Sequence, residues 1–120
     1  MNILIVEDND IQLQSLYKIL SEKYTEDSFT YMLADNYDEA ICIINTNNID
    51  IFILDIALGD NPNGGIDIAR FIRFKKNMPY TPIIFITSIA TQITTALNEL
   101  HCCSYIYKPY KPDDVYSAFN

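Results

Sequence analysis

Ile3-Leu4-Ile5-Val6-Glu7-Asp8 opens the chain, and Ile51-Phe52-Ile53-Leu54-Asp55 follows the same plan further on: four apolar side chains, then a carboxylate. A short apolar run bounded by polar residues reads as a strand buried on both faces, and in a parallel α/β sheet the groups just past the strand ends share one crevice. Glu7, Asp8 and Asp55 are therefore expected to meet. Three carboxylates in one place raise each other's proton affinity, so the arrangement makes most sense with a hard divalent cation between them, Mg²⁺ being the natural one.

Outward from these two runs the chain alternates strand and helix. Residues 10–22 carry apolar side chains at 13, 16, 17 and 20, the spacing of one buried helical face. A strand is expected at 29–33, and Asp35-Asn36 caps a helix running to Ile44. The Asn-rich turn 45–48 leads into the strand 49–54. A long loop from Asp55 holds Gly59, Pro62, Gly64 and Gly65, and a third helix is expected at 66–74. Strands at 83–86 and 104–107 flank a fourth helix at 90–100, which Thr91, Thr94 and Thr95 weaken because β-branched residues lose side-chain freedom in a helix. Pro112 opens a last helix at its first turn, where a missing N–H costs little. Five strands alternating with five helices define an α/β, doubly wound parallel sheet.

The 120 residues give room for one domain, residues 1–120, and 49% hydrophobic residues suffice for its core. No apolar run approaches the roughly 18 to 20 residues of a membrane span, and the chain enters its first strand without a basic leader, so a soluble cytoplasmic protein with no membrane contact is expected. Cys42, Cys102 and Cys103 are odd in number and lack a CxxC spacing, which points to reduced core or subsurface residues and not to a disulfide or zinc framework. A net charge of −8 opposes direct nucleic-acid binding. Arg70, Arg73, Lys75 and Lys76 are expected as a small basic patch complementing a helix C-terminus, and His101 as an ordinary residue.

In strand order, the C-terminal ends present Glu7-Asp8, Asp55, Thr87-Ser88 and Lys108-Pro109. A carboxylate nucleophile, acidic metal ligands, a hydroxyl donor and a cation are the parts of a phosphoryl-transfer site. With these residues in this order, the chain resembles the receiver domain of two-component response regulators over its full length. The resemblance implies a flavodoxin-like (βα)₅ fold with strand order 2-1-3-4-5. It makes Asp55 the acceptor of a phosphoryl group from a sensor histidine kinase. Asp8 would bind Mg²⁺ directly, Glu7 mainly through water, and the Ala57 carbonyl would complete the protein ligands, with Mn²⁺ able to substitute. Thr87 and Lys108 would contact the phosphoryl oxygens, Tyr105 would be the aromatic switch residue, and the peptide before Pro109 would be cis. Lys111-Pro112 repeats the dipeptide but opens a helix, so Lys108 is the better choice.

The loop Asp55-Ile56-Ala57-Leu58-Gly59-Asp60-Asn61-Pro62-Asn63-Gly64-Gly65 lacks the Met-Pro that many receivers carry. It resembles receivers that precede LytTR-type DNA-binding domains, which implies a transcriptional output domain absent from this chain. The alternatives are a stand-alone receiver or phosphorelay intermediate working by protein contact, with homodimerisation on phosphorylation left open. Enzyme readings fare worse. A haloacid-dehalogenase-type phosphatase needs a second acid where Ala57 stands, Glu7-Asp8 would repel a flavodoxin's cofactor phosphate, and no GxxxxGK is present.

Overall fold

The computed structural model describes residues 1–88, 100–102 and 104–119. Five parallel strands, β1 (Asn2–Val6), β2 (Thr30–Ala34), β3 (Ile51–Asp55), β4 (Ile83–Thr87) and β5 (Ser104–Tyr107), form one sheet in the order β2-β1-β3-β4-β5. Around it lie α1 (Asp10–Lys23), α2 (Tyr37–Thr46), α3 (Gly64–Arg70) with a π turn at Phe71–Lys75, and a C-terminal helix (Pro112–Phe119). The expected flavodoxin-like fold and strand order are present. The helix expected at 90–100 falls on residues 90–99, outside the described residues, and on Leu100, which is buried.

Strand periodicity sorts the apolar runs into two cores. Leu4, Val6, Phe52, Leu54 and Phe85 face α2 and α3 with Ala40, Ile44, Ile68 and Ile72. Ile3, Ile5, Ile53, Ile84 and Ile86 face the other way, onto Leu13, Leu16 and Leu20 of α1 and Val115 of the C-terminal helix. Both sheet faces are thus covered, which is why β1, β3 and β4 read as unbroken hydrophobic runs. Phe52 and Phe85 are fully buried, and truncating either to Ala would cost about 3–5 kcal/mol.

Boundaries moved where polar groups compete for the backbone. Phe29 closes a turn on Thr25, so β2 starts at Thr30. The Asp50 carboxylate accepts from the Asn2 N–H, and β3 starts after it, leaving Ile49 buried but outside the strand. Asn36 caps α2 by accepting from the Glu39 N–H at 2.8 Å. Two sequence expectations are corrected. Cys42 is exposed, because α2 turns only Ala40 and Ile44 fully inward. Arg73 does not join a basic surface patch: it is 6% exposed, with its guanidinium drawn in by main-chain carbonyls.

Candidate phosphoryl-acceptor site

The sheet brings the predicted site residues to one edge. Val6 pairs with Leu54 in the ladder, so Glu7 and Asp8 leave β1 beside Asp55, the last residue of β3. Thr87, the last residue of β4, pairs with Tyr107, and the Lys108 N–H donates to the Thr87 carbonyl at 2.8 Å. Lys108 therefore leaves β5 toward the same crevice, and its peptide bond to Pro109 is cis.

The Lys108 ammonium donates to Asp55 Oδ2 at 2.8 Å and to Glu7 Oε2 and Oε1 at 3.2 and 3.4 Å. Glu7 and Asp55 are buried. Burial, reinforced by the neighbouring Asp55, pushes the Glu7 carboxyl up to about 8 despite the opposing Lys108 charge. Burial lowers Lys108, but Asp55 and Glu7 outweigh it and hold the ammonium above its ordinary value. Burial and the Glu7 charge likewise raise Tyr110, which follows the cis proline.

Asp8 differs from both. It is exposed, and Asn9 rather than Asp8 caps α1, accepting from the Gln12 N–H at 3.0 Å. The Asp8 carboxylate is left for the crevice, where Oδ2 accepts from the Gly59 N–H at 2.8 Å. Glu7, Asp8 and Asp55 offer carboxylate oxygens within 4.8 Å of one another. That all-oxygen donor set suits a hard divalent cation. Ala57 lies half-buried two residues beyond β3.

Two features of the loop were not foreseen from the sequence. Leu58 and Asn61 exchange backbone hydrogen bonds at 2.9 and 3.0 Å around Gly59, whose φ of 57° suits glycine, and this turn aims its N–H at Asp8. Gly65 allows α3 to start against β3. A Cβ there would lie 2.1 Å from the Asp55 carbonyl oxygen, and its N–H donates to the Ile56 carbonyl at 2.8 Å. The Gly64-Gly65 pair was the available signal for this close approach. Thr87 is buried at the crevice, whereas Tyr105 is exposed on β5, its ring edge-on to Tyr107 at 5.1 Å.

A parallel sheet of this order, with an acidic cluster and an inward lysine at its C-terminal edge, is the architecture of a signalling receiver. The chain belongs to the response regulator receiver domain family, whose pattern it matches over residues 3–120. It is 30% identical over 115 residues to an NtrX-like response regulator of Rickettsia felis, covering 94% of this chain and 23% of the relative. The chain thus spans less than a quarter of that relative's length. A two-component response regulator from Clostridium difficile shares 29% identity and a TM-score of 0.79, with 98% of this chain and 90% of that one covered. The receiver domain of NtrX from Brucella abortus shares 26% and 0.77, covering 96% and 92%. Receiver domains are signalling switches partnered by histidine kinases, usually with an output domain, and they bind Mg²⁺ at an acidic pocket. Among the described residues, no helix is long and apolar enough to cross a membrane.

Proposed function

We propose that this chain is a phosphorylation-dependent switch in which Asp55 accepts a phosphoryl group from a phosphohistidine of a sensor histidine kinase. The observation that carries the reading is the Lys108 ammonium, bridging Asp55 and Glu7 at the strand ends. An Asp55 carboxylate oxygen attacks phosphorus, the P–N bond breaks, and the imidazole nitrogen keeps the electron pair. The Glu7, Asp8 and Asp55 carboxylates with the Ala57 carbonyl would hold Mg²⁺, or Mn²⁺, which when bound neutralises charge on the transferred oxygens. Lys108 releases Glu7 and Asp55 to pair with a phosphoryl oxygen, and Thr87 donates its hydroxyl to another. Attraction of Thr87 to the new dianion frees space for the Tyr105 ring, which leaves its exposed position and reshapes the surface around β5 and the C-terminal helix. The chain is not an enzyme beyond its own phosphorylation and dephosphorylation.

Incubation with acetyl phosphate and Mg²⁺ should add one phosphoryl group by intact mass, and chelation or Asp55→Asn should abolish the gain. Stoichiometric labelling of Asp55→Asn would move the acceptor elsewhere. The output reading is transcriptional, through an attached LytTR-type DNA-binding domain in a cytoplasmic protein. It is supported by the 55–65 loop, and the acidic charge assigns DNA contact to that other domain. A parent gene joining this chain to a catalytic domain would sink it in favour of another output. A gene encoding the receiver alone would favour a stand-alone or phosphorelay role.

A further inference from the structure

Arg73 stands at the opposite end of the strands from the crevice, where three uncommon features converge. The first is the π turn Phe71–Lys75, closed by the Lys76 N–H on the Phe71 carbonyl at 3.0 Å. Such turns hold an extra residue in the helical ladder. Within this one Arg73 is 6% exposed while its neighbour Phe74 is 65% exposed. The second feature is the guanidinium's set of acceptors. Nε donates to the Leu100 carbonyl at 2.8 Å, Nη1 to those of Met78 and Thr81 at 2.7 Å each, and Nη2 to that of His101 at 3.1 Å. The third is backbone conformation. Among the described residues, the non-glycine positions with positive φ are Asn77 at 54° and His101 at 53°. One directly precedes an Arg73 acceptor and the other is itself one.

These acceptors belong to two segments. Met78 and Thr81 lead into β4, and Leu100 and His101 lead into β5. One side chain therefore ties the end of α3 to the starts of the two strands whose far ends carry Thr87 and Lys108. β5 has four residues, lies at the sheet edge and pairs with β4 alone. Its register rests on one ladder and on the single inward residue Ile106, between exposed Tyr105 and Tyr107, so a slip would turn the tyrosines inward. An arginine suits the task because its planar fork spreads five N–H donors over two segments, whereas a lysine offers three from one point.

We infer that Arg73 is a positioning residue for the phosphoryl-acceptor site: by anchoring the lead-ins of β4 and β5 against α3, it sets where β5 presents Lys108 to Asp55. The inference rests on the role proposed above for Lys108 in phosphoryl transfer. Arg73 itself stands at the other end of the strands from the reacting groups.

Hydrogen exchange on the chain and its Arg73→Lys variant tests the anchoring. Amides of residues 105–108 should exchange about tenfold faster or more in the variant, with those of β1 and β3 unchanged. A uniform rise in all strands would reduce Arg73 to a general stabiliser and overturn the inference. The wild type offers a check that does not depend on the variant folding. The Arg73 Nε–H should exchange as slowly as the β5 amides and respond with them to mild denaturant; exchange as fast as that of half-exposed Arg70 would overturn the inference. The link to chemistry is read from acetyl phosphate uptake. Arg73→Lys should slow uptake several-fold in the wild-type background and have little effect on Lys108→Ala, because both act through one side chain. Additive losses would overturn the inference. Labelling of Asp55→Asn would instead defeat the acceptor assignment and leave the exchange result standing.

Discussion

Lys108 and Arg73 are cations at opposite ends of β5, and their partners differ in kind. Lys108 is held by the carboxyl groups of Asp55 and Glu7 in a crevice that solvent still reaches, with 21% of its side chain exposed. Arg73 is enclosed, and its guanidinium donates to four main-chain carbonyls. A charge held by charges can be traded when a cation or a phosphoryl group enters, because each partner has an alternative. A buried guanidinium held by carbonyls is harder to move, since leaving would cost it and its acceptors their hydrogen bonds. The protein thus carries an exchangeable cation at its reactive edge and a permanent one at its base.

The largest expected effect tests permanence. Arg73→Ala should destabilise the fold by about 3 kcal/mol or more, as one buried and three partly buried carbonyls lose their donor at once. A loss below about 1 kcal/mol in urea unfolding would show that water replaces the guanidinium easily.

Exchangeability is tested by Lys108→Ala, which should cost less stability than Arg73→Ala in the same urea unfolding and recover part of the loss when Mg²⁺ is added, because a cation can take over its partners. It should also tighten Mg²⁺ binding several-fold, read by tyrosine fluorescence, because a competing cation is gone. Weaker Mg²⁺ binding would mean that Lys108 organises the site instead of competing for it.

The crevice carries a pH dependence of its own. Glu7 has its folded-state pKa raised from 4.5 to about 8, so its protonated form is favoured by folding. Its contribution to stability is fully present below about pH 4.5 and is lost as pH rises through about 8. Mg²⁺ affinity should run the other way, increasing by up to about tenfold per unit as pH approaches 8 and the proton leaves. A flat affinity between pH 6 and 8, measured by calorimetry, would show Glu7 already ionised. Salt should have the smallest effect. About 0.5 M NaCl should weaken the Lys108 contacts modestly while exchange at the Arg73 Nε–H stays unchanged.

The two cations were unequally legible in the sequence. Lys108 could be placed because strand ends are marked locally: an apolar run stops, a polar residue follows, and parallel topology gathers such ends together. The same logic found Glu7, Asp8, Asp55 and Thr87. Arg73 was misread as a surface charge because its partners are carbonyls from residues 78, 81, 100 and 101, and main-chain acceptors leave no trace in side-chain identity. The π turn that faces it inward is also silent, since nothing in Phe71-Ile72-Arg73-Phe74-Lys75 distinguishes it from an ordinary helical turn. Helix and strand ends slipped by a residue or two for a related reason: at Asp50 and Phe29 a nearby polar contact took the backbone group that periodicity assigned to the ladder.

Gly65 makes the place of the Asp55 carboxylate depend on a missing atom. With 2.1 Å between a would-be Cβ and the Asp55 carbonyl oxygen, even alanine must push the end of β3 or the start of α3 aside. Metal ligands have substitutes, since another oxygen-bearing side chain can reach inward, but a gap between two backbones has none. In a complete substitution map of this protein, position 65 would tolerate as little as the proposed acceptor, Asp55. The steepest constraint beside the chemistry would fall on a residue that takes no part in it.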